Sequence, residues 1–142
     1  MKIYLATTLQ NEKRKEMTDA LQILQSAGHE VYCPVEHQIH NAWDYPNPEW
    51  GLMVFQSDLI AIQEADVVVV LSHGRLASTA GVDWEAGYAF GIGKKVVLVE
   101  MTSEPMSLMV ANGRYATVQG LSGLLKYDWI TMPKTRTDTE QK

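Results

Sequence analysis

The sequence has little of what disulfide-stabilised or membrane-spanning proteins need. Its single cysteine, Cys33, cannot form a disulfide within the chain, and we expect a buried thiol in a reduced, cytoplasmic compartment. No uninterrupted apolar run approaches the roughly 20 residues that span a bilayer. The N-terminus lacks the apolar centre of a signal peptide. These absences predict a cytoplasmic protein with no membrane partner.

Basic charge is also scarce. The net charge is -5, and the 12 Lys and Arg residues are scattered along the chain. Proteins that bind nucleic acid need a basic stripe, because much of their affinity comes from contacts to phosphates. We therefore expect no nucleic-acid polymer as a partner.

Glycine-rich phosphate motifs are missing as well. Neither GxGxxG nor GxxxxGK[ST] follows the first β-rich run, Lys2 to Ala6, so a dinucleotide or nucleoside triphosphate site is not supported. His37 and His40 lie in an irregular segment, and no cysteine or carboxylate triad joins them. The sequence therefore predicts no metal site.

What the chain does contain is an alternation of β-rich and helical segments. Its 142 residues, 46% of them hydrophobic, can bury the core of one domain. The pattern predicts an α/β fold, Rossmann- or flavodoxin-like, with an open and mostly parallel sheet of about five strands and helices on both faces. We expect residues 1–132 to form this domain and the polar residues 133–142 to be a mobile tail.

In such a sheet, ligands bind at the carboxyl ends of the strands. Thr7 and Thr8 come directly after the first predicted strand, a long irregular loop from residue 35 to 50 follows the second, and residues 72–85 follow the third. We expect the functional groups to lie on these three segments.

Two carboxylates occupy positions where an acid could take part in chemistry. Glu85 falls in the first turn of a helix predicted over residues 82–90, where the helix dipole favours the ionised form that a nucleophile requires; an ordinary first-turn acid is the alternative. Asp58 lies one turn from apolar residues on either side, close to the apolar face of a long helix. A solvated Asp at the edge of that face is equally consistent. Asp83 points to a different face from Glu85, so the two need not be a pair.

Five segments, taken in order, resemble the nucleoside 2-deoxyribosyltransferase family. They are IYLA (Ile3 to Ala6), GHEVYCP leading to Gln38, FQSDLIAIQEAD (Phe55 to Asp66), GVDWEAGYAFGIGKKVVLV (Gly81 to Val99) and SLMVANG (Ser107 to Gly113). Each piece is weak, but the ordered set, from residue 3 to about 128, is fairly specific. The resemblance implies an enzyme of nucleotide salvage that moves 2-deoxyribose between nucleobases with retained configuration and without a cofactor.

The resemblance also implies roles for individual residues. Glu85 would be the nucleophile that attacks the anomeric carbon, and Tyr4 would hydrogen-bond to it and orient it. Asp58 would exchange a proton with the departing and incoming base, and Gln38 would touch the base. The expected substrates are a deoxynucleoside and a free nucleobase, with Thr7 at the end of the first strand beside them.

The last segment implies a homo-oligomer. Ser107 and Met109 would contribute to the sugar site of a neighbouring subunit, so that Ser107 to Asn112 completes that site. Two positions depart from the family pattern: Thr79 stands where transferases often carry an Asp that contacts the base, which leaves Asp83 as the nearest acid, and Ser107 stands where they carry an Asn. Hydroxyls at both positions are similar to those of 2-deoxynucleoside 5-phosphate hydrolases.

Three functions therefore stay open. The first is transfer between bases, which the resemblance favours, and the second is hydrolysis of a deoxynucleoside or its 5-monophosphate. The third is a non-catalytic nucleotide-binding domain, since a fold alone does not fix an activity. One feature argues against hydrolysis of nucleotides: residues 7–13 lack the Gly- and Arg-rich phosphate-binding loop of the 2-deoxynucleoside 5-phosphate hydrolases.

Overall fold

One parallel sheet organises the chain. The computed structural model describes residues 1–8, 11–36, 42–74 and 80–137. Its five strands run in the order β2-β1-β3-β4-β5, with every hydrogen-bonded pair parallel. They are β1 (Lys2–Ala6), β2 (Glu30–Tyr32), β3 (Val67–Ser72), β4 (Lys95–Glu100) and β5 (Ala116–Gln119). This is the flavodoxin-like strand order, and it confirms the predicted fold class.

Helices cover both faces of the sheet. They are α1 (Arg14–Ser26), α2 (Asn47–Glu64), α3 (Ala80–Gly91), α4 (Leu108–Asn112) and α5 (Gly120–Lys126). On one face, α1 and α5 pack with Ile3 and Leu5; on the other, α2 and α3 pack with Tyr4 and Ala6. Because successive side chains of a strand point to opposite faces, β1 contributes to both cores. None of the helices in the described ranges is long and apolar enough to cross a bilayer.

The central strands are the most buried. Val67 to Leu71 of β3 is an uninterrupted apolar run buried on both faces, as expected for an interior strand of a parallel sheet. The edge strand β2 is short, and Tyr32 within it is half-buried. The sheet reverses its strand order between β1 and β3, which is where open parallel sheets leave a crevice for ligands.

The structure extends the packed part of the chain to residue 137, beyond the boundary predicted at 132. Thr135 accepts a hydrogen bond from the Thr117 backbone N–H at 3.0 Å and donates its hydroxyl to the Thr117 carbonyl at 2.8 Å. Thr137 is buried and donates to Glu100 at 2.6 Å. These hydrogen bonds hold a polar segment against β5 without a run of apolar side chains.

Candidate active site

Glu85 is held at the crevice by a tyrosine of the neighbouring strand. It lies half-buried on α3, the helix that packs against β1, β3 and β4. The hydroxyl of Tyr4, a fully buried residue of β1, donates a hydrogen bond to Glu85 Oε2. This is the contact that the sequence analysis expected between the two residues.

The charge of Glu85 is governed by burial and not by the helix end. The expectation that it lies in the first turn is wrong: α3 begins at Ala80, so Glu85 falls in the second turn. Burial raises the pKa of Glu85 to about 7; the hydrogen bond from Tyr4 lowers it, and the nearby charge of Asp58 raises it. Glu85 therefore changes its charge near neutral pH.

Asp58 lies on α2, the helix that contacts α3. It is half-buried, and its Oδ1 lies 3.4 Å from the hydroxyl of Tyr32. Its negative charge raises the pKa of both Glu85 and Tyr4. The structure thus brings together Glu85, Asp58 and Tyr4, and it places Asp58 in a contact that a solvated residue at the edge of the helix face would not make.

Tyr32 is a site residue that the sequence analysis missed. It pairs with Tyr4 in the register of β1 and β2, and the two rings are stacked with centroids 5.6 Å apart and an interplanar angle of 14°. The available signal was a tyrosine inside each of two β-rich runs, IYLA and EVYC. Only the register shows that the two tyrosines are neighbours.

Four of the other residues predicted to bind substrate lie within the described part of the chain: Thr7, Asp83, Ser107 and Met109. Thr7 is buried just after β1, and its Oγ1 has no hydrogen-bond partner among the described residues. Asp83 and Ser107 line one small cavity between the end of β3 and α4. Ser107 also caps α4, because its Oγ accepts a hydrogen bond from the Val110 N–H at 3.3 Å. Met109 points outward and is 86% exposed.

A mostly apolar groove of about 430 Å³ separates α3 from α4. Ala86, Gly87 and Phe90 of α3 form one wall, and Asp83 and Ser107 lie at its polar end. The segment that the resemblance assigned to a subunit contact therefore borders an open apolar surface next to α3.

Several predicted positions lie outside the described residues: Gln38, Thr79, His37 and His40. Within the ranges that the structure does describe, no three His, Cys, Asp or Glu side chains are grouped as metal ligands would be. Cys33 is fully buried in the core between the sheet and α1, and burial raises the pKa of its thiol to about 11. The core role expected for Cys33 is confirmed.

Comparison with known proteins gives one family. The family model described as nucleoside 2-deoxyribosyltransferase matches residues 3–121. Among solved structures, the chain is similar to the 2-deoxyribosyltransferase of the psychrotolerant bacterium Bacillus psychrosaccharolyticus, with 32% identity, a TM-score of 0.88, and coverage of 96% of this chain and 99% of that one.

Two more distant likenesses show the fold alone. They are the CMP N-glycosidase of Clostridium botulinum, with 17% identity, a TM-score of 0.60 and coverage of 89% and 96% of the two chains, and a conserved protein of Enterococcus faecalis V583, with 20% identity, a TM-score of 0.57 and coverage of 99% and 93%. The search of curated proteins found no match.

Proposed function

The chain belongs to the nucleoside 2-deoxyribosyltransferase family, and we propose that it transfers 2-deoxyribose from a deoxynucleoside to a free nucleobase through an ester on Glu85. Family membership indicates a glycosyl-transferring enzyme. The observation that carries the proposal is the grouping of two half-buried carboxyl groups, Glu85 and Asp58, with the Tyr4 hydroxyl donating to Glu85.

In the first half of the reaction, a Glu85 oxygen forms a bond to the anomeric carbon while the bond from that carbon to the base nitrogen breaks. The transition state has oxocarbenium character, which a positioned carboxylate stabilises and then captures as an ester. Asp58 gives its proton to the departing base, because an unprotonated base is a poor leaving group. A sugar without a 2′-hydroxyl favours this step, since its cation forms more readily.

In the second half, the incoming base loses its N–H proton to Asp58 as its nitrogen attacks the anomeric carbon. The ester bond breaks and Glu85 regains its negative charge. Two displacements at the same carbon give retained configuration. The first half needs Glu85 as a carboxylate and Asp58 as a carboxylic acid, and the second half needs Asp58 as a carboxylate beside the Glu85 ester, so two adjacent carboxyl groups are sufficient.

The raised pKa of Glu85 suits this chemistry. A carboxylate with a pKa of about 7 is more basic, and hence more nucleophilic, than an ordinary glutamate, yet much of it is ionised at neutral pH. The hydrogen bond from Tyr4 stabilises the ionised form within a buried environment that opposes it. We propose that Tyr4 orients Glu85 in this way.

Substrate contacts form the next part of the proposal. We assign the base to Gln38 and Thr79, with Asp83 as the acid nearest to Thr79 in sequence. The buried Thr7 hydroxyl, whose oxygen has no hydrogen-bond partner among the described residues, is available at the end of β1 to bind the substrate.

We also propose that the enzyme is a cytoplasmic homo-oligomer of nucleotide salvage. Leu108 and Met109 of α4 are 81% and 86% exposed, and exposed apolar side chains next to an apolar groove are typical of subunit contacts. In this arrangement Ser107 and Met109 reach the sugar bound by a neighbouring subunit.

Hydrolysis is the second candidate, because the Ser107 hydroxyl stands where family transferases carry an Asn. The test is to incubate the protein with deoxyinosine, with and without free adenine, and to separate the products. Deoxyadenosine formed only with adenine supports transfer. Free deoxyribose formed without adenine supports hydrolysis. No turnover by the wild-type protein would indicate a non-catalytic nucleotide-binding domain.

A further inference from the structure

Tyr4 and Tyr32 form a matched pair, in which each hydroxyl faces a different carboxyl group. The two residues occupy the same level of neighbouring parallel strands, and their rings stack. Tyr4 donates to Glu85 on α3, while the Tyr32 hydroxyl lies 3.4 Å from Asp58 Oδ1 on α2. The sheet therefore supplies one phenolic donor for each carboxyl group of the proposed reaction.

We propose that Tyr32 is a positioning residue that holds Asp58 and stabilises its anion while the sugar is attached to Glu85. This inference rests on the proposed transfer reaction, and it assigns a function to a residue that does not touch the reacting atoms. Tyr32 keeps its own proton throughout.

The charge balance of the reaction gives the reason for two donors. Before transfer, Glu85 carries the negative charge and Asp58 carries the proton. Once the ester has formed, Glu85 is neutral, and Asp58 is the anion because its proton has left with the base. One negative charge thus moves from the carboxyl group facing Tyr4 to the carboxyl group facing Tyr32. A donor at each position lowers the free-energy difference between the two states, since a hydrogen bond to an ionised group stabilises that form.

The negative charge of Asp58 affects several groups around it, so a hydrogen-bond donor to Asp58 matters for the charge of the site. Among the described residues, the negative charge of Asp58 raises the pKa of Tyr4 on β1, of Tyr32 and Cys33 at the end of β2, and of Glu85 on α3. A hydrogen bond donated by the Tyr32 hydroxyl stabilises this negative charge. Stacking on the buried Tyr4 restrains the ring of Tyr32, and this keeps its hydroxyl directed at α2.

The test is Tyr32→Phe, which removes the hydroxyl and retains the stacked ring. We expect kcat for transfer to fall about tenfold, the lower end of what a hydrogen bond to a charged group contributes, with KM for the deoxynucleoside changed less than about threefold. Mixing enzyme with deoxyinosine in the absence of an acceptor should release less hypoxanthine in the first turnover, because the ester with an Asp58 anion is less populated. An unchanged kcat and an unchanged first-turnover release would overturn the proposal.

The matched control is Tyr115→Phe. It also removes a half-buried phenolic hydroxyl, one that donates to the Met132 carbonyl at 2.7 Å, at the opposite edge of the sheet. We expect wild-type kcat from it. Tyr32→Leu separates the hydroxyl from the ring: if ring packing alone mattered, the Phe variant would match the wild type and only the Leu variant would lose activity, which would also overturn the proposal.

A measurement without turnover separates this inference from the proposed function. In protein labelled with ¹³C at the Asp carboxyl carbons, the resonance absent from Asp58→Asn identifies Asp58, and its titration gives the pKa. We expect a higher pKa in Tyr32→Phe than in the wild type, and an unchanged value would refute the contact. If the wild type neither transfers nor releases base, the proposed function fails and so does any role of Tyr32 in transfer, while the titration still decides whether Tyr32 positions Asp58.

Discussion

Two glutamates, Glu85 on α3 and Glu100 at the end of β4, each accept a hydrogen bond from a hydroxyl group but differ in their surroundings. Glu85 is half-buried, accepts from Tyr4 and lies close enough to Asp58 for the two charges to interact. Glu100, at the end of β4, is only 3% exposed and accepts a hydrogen bond from Thr137, which belongs to the segment hydrogen-bonded to β5. The more deeply buried carboxyl group is therefore the one that the chain itself covers.

The comparison shows that burial alone does not mark a functional acid. A carboxyl group that reacts must remain open to a substrate and must have a second group that takes or gives a proton. Glu85 has both, through its partial exposure and its neighbour Asp58. Substitutions at the two sites test whether these glutamates differ in function as they differ in surroundings.

The largest expected effect is on transfer by Glu85→Ala. Loss of the nucleophile should lower kcat by roughly ten-thousandfold or more, as for other enzymes that form a covalent intermediate, while the far-UV circular dichroism spectrum stays that of the wild type. Glu100→Gln is the matched control and should keep kcat within about twofold, since Glu100 is buried and is hydrogen-bonded to Thr137 of the same chain. Substantial residual transfer by Glu85→Ala would remove the distinction between the two glutamates.

Asp58→Asn should cause the second largest loss, about a hundredfold to a thousandfold in kcat, the range for a general acid and base. An amide of similar shape cannot give or take the proton, so the loss should shrink for a donor whose base leaves without protonation. The pH–rate profile should also lose one of its limbs. A profile identical to that of the wild type would exclude an acid–base role.

Replacing Glu85 should also change the stability of the fold, and here the variant should be the more stable protein. Because the folded pKa of Glu85 is raised from 4.5 to about 7, the folded state binds more protons than the unfolded state between these pH values, and the free energy of unfolding falls as the pH rises through that window. Glu85→Gln should therefore be more stable than the wild type at pH 8, by about 2 kcal/mol, and nearly equal to it at pH 4.5. Urea unfolding at both pH values gives the difference; a variant less stable at pH 8 would contradict it.

The pH dependence of transfer should report the same group. Below pH 7 the ionised fraction of Glu85 falls about tenfold per pH unit, so kcat/KM should fall with it. Tyr4→Phe removes a donor that lowers the pKa of Glu85, and the midpoint of this limb should move to higher pH. An acid limb that stays in place in Tyr4→Phe would mean that another group controls it.

The smallest expected effect is at the second glutamate. Thr137→Val removes the hydroxyl that donates a hydrogen bond to Glu100. It should lower the free energy of unfolding by about 1 to 2 kcal/mol, because the buried Glu100 carboxyl group loses a hydrogen-bond partner. Transfer should be unchanged. Thr131→Val, which removes the hydroxyl that donates to the exposed Asp128, is the surface control. Equal effects from the two variants would show that burial of Glu100 adds nothing.

Much of this fold could be predicted because its signals are local. The β-branched run in β3 and the apolar spacing along α2 each determine one element without reference to the rest of the chain. The same locality identified Glu85 and Asp58 as acids in unusual positions. The start of α3 was placed two residues too late, and that moved Glu85 into the wrong turn.

The missed features depend on contacts between distant segments. Tyr32 joins the site only because β2 pairs with β1 in a register that puts it beside Tyr4, and a strand of three residues carries no pattern from which that register could be read. The segment 133–137 is polar, so composition gave no sign of packing. Its hydrogen bonds from Thr135 and Thr137 become visible only when β5 and Glu100 are in place.

The all-parallel sheet also determines when the site can form during folding. Each strand pair needs a crossover between its members, so no pair can form as a local hairpin, and folding that depends on distant pairings is slow. The side chains at positions 4, 32, 58 and 85 come from four elements, and they meet only after β2, β1 and β3 have aligned and both α2 and α3 have docked. Recovery of transfer activity after dilution from urea should therefore coincide with the slowest phase of refolding, later than the first gain of helical signal.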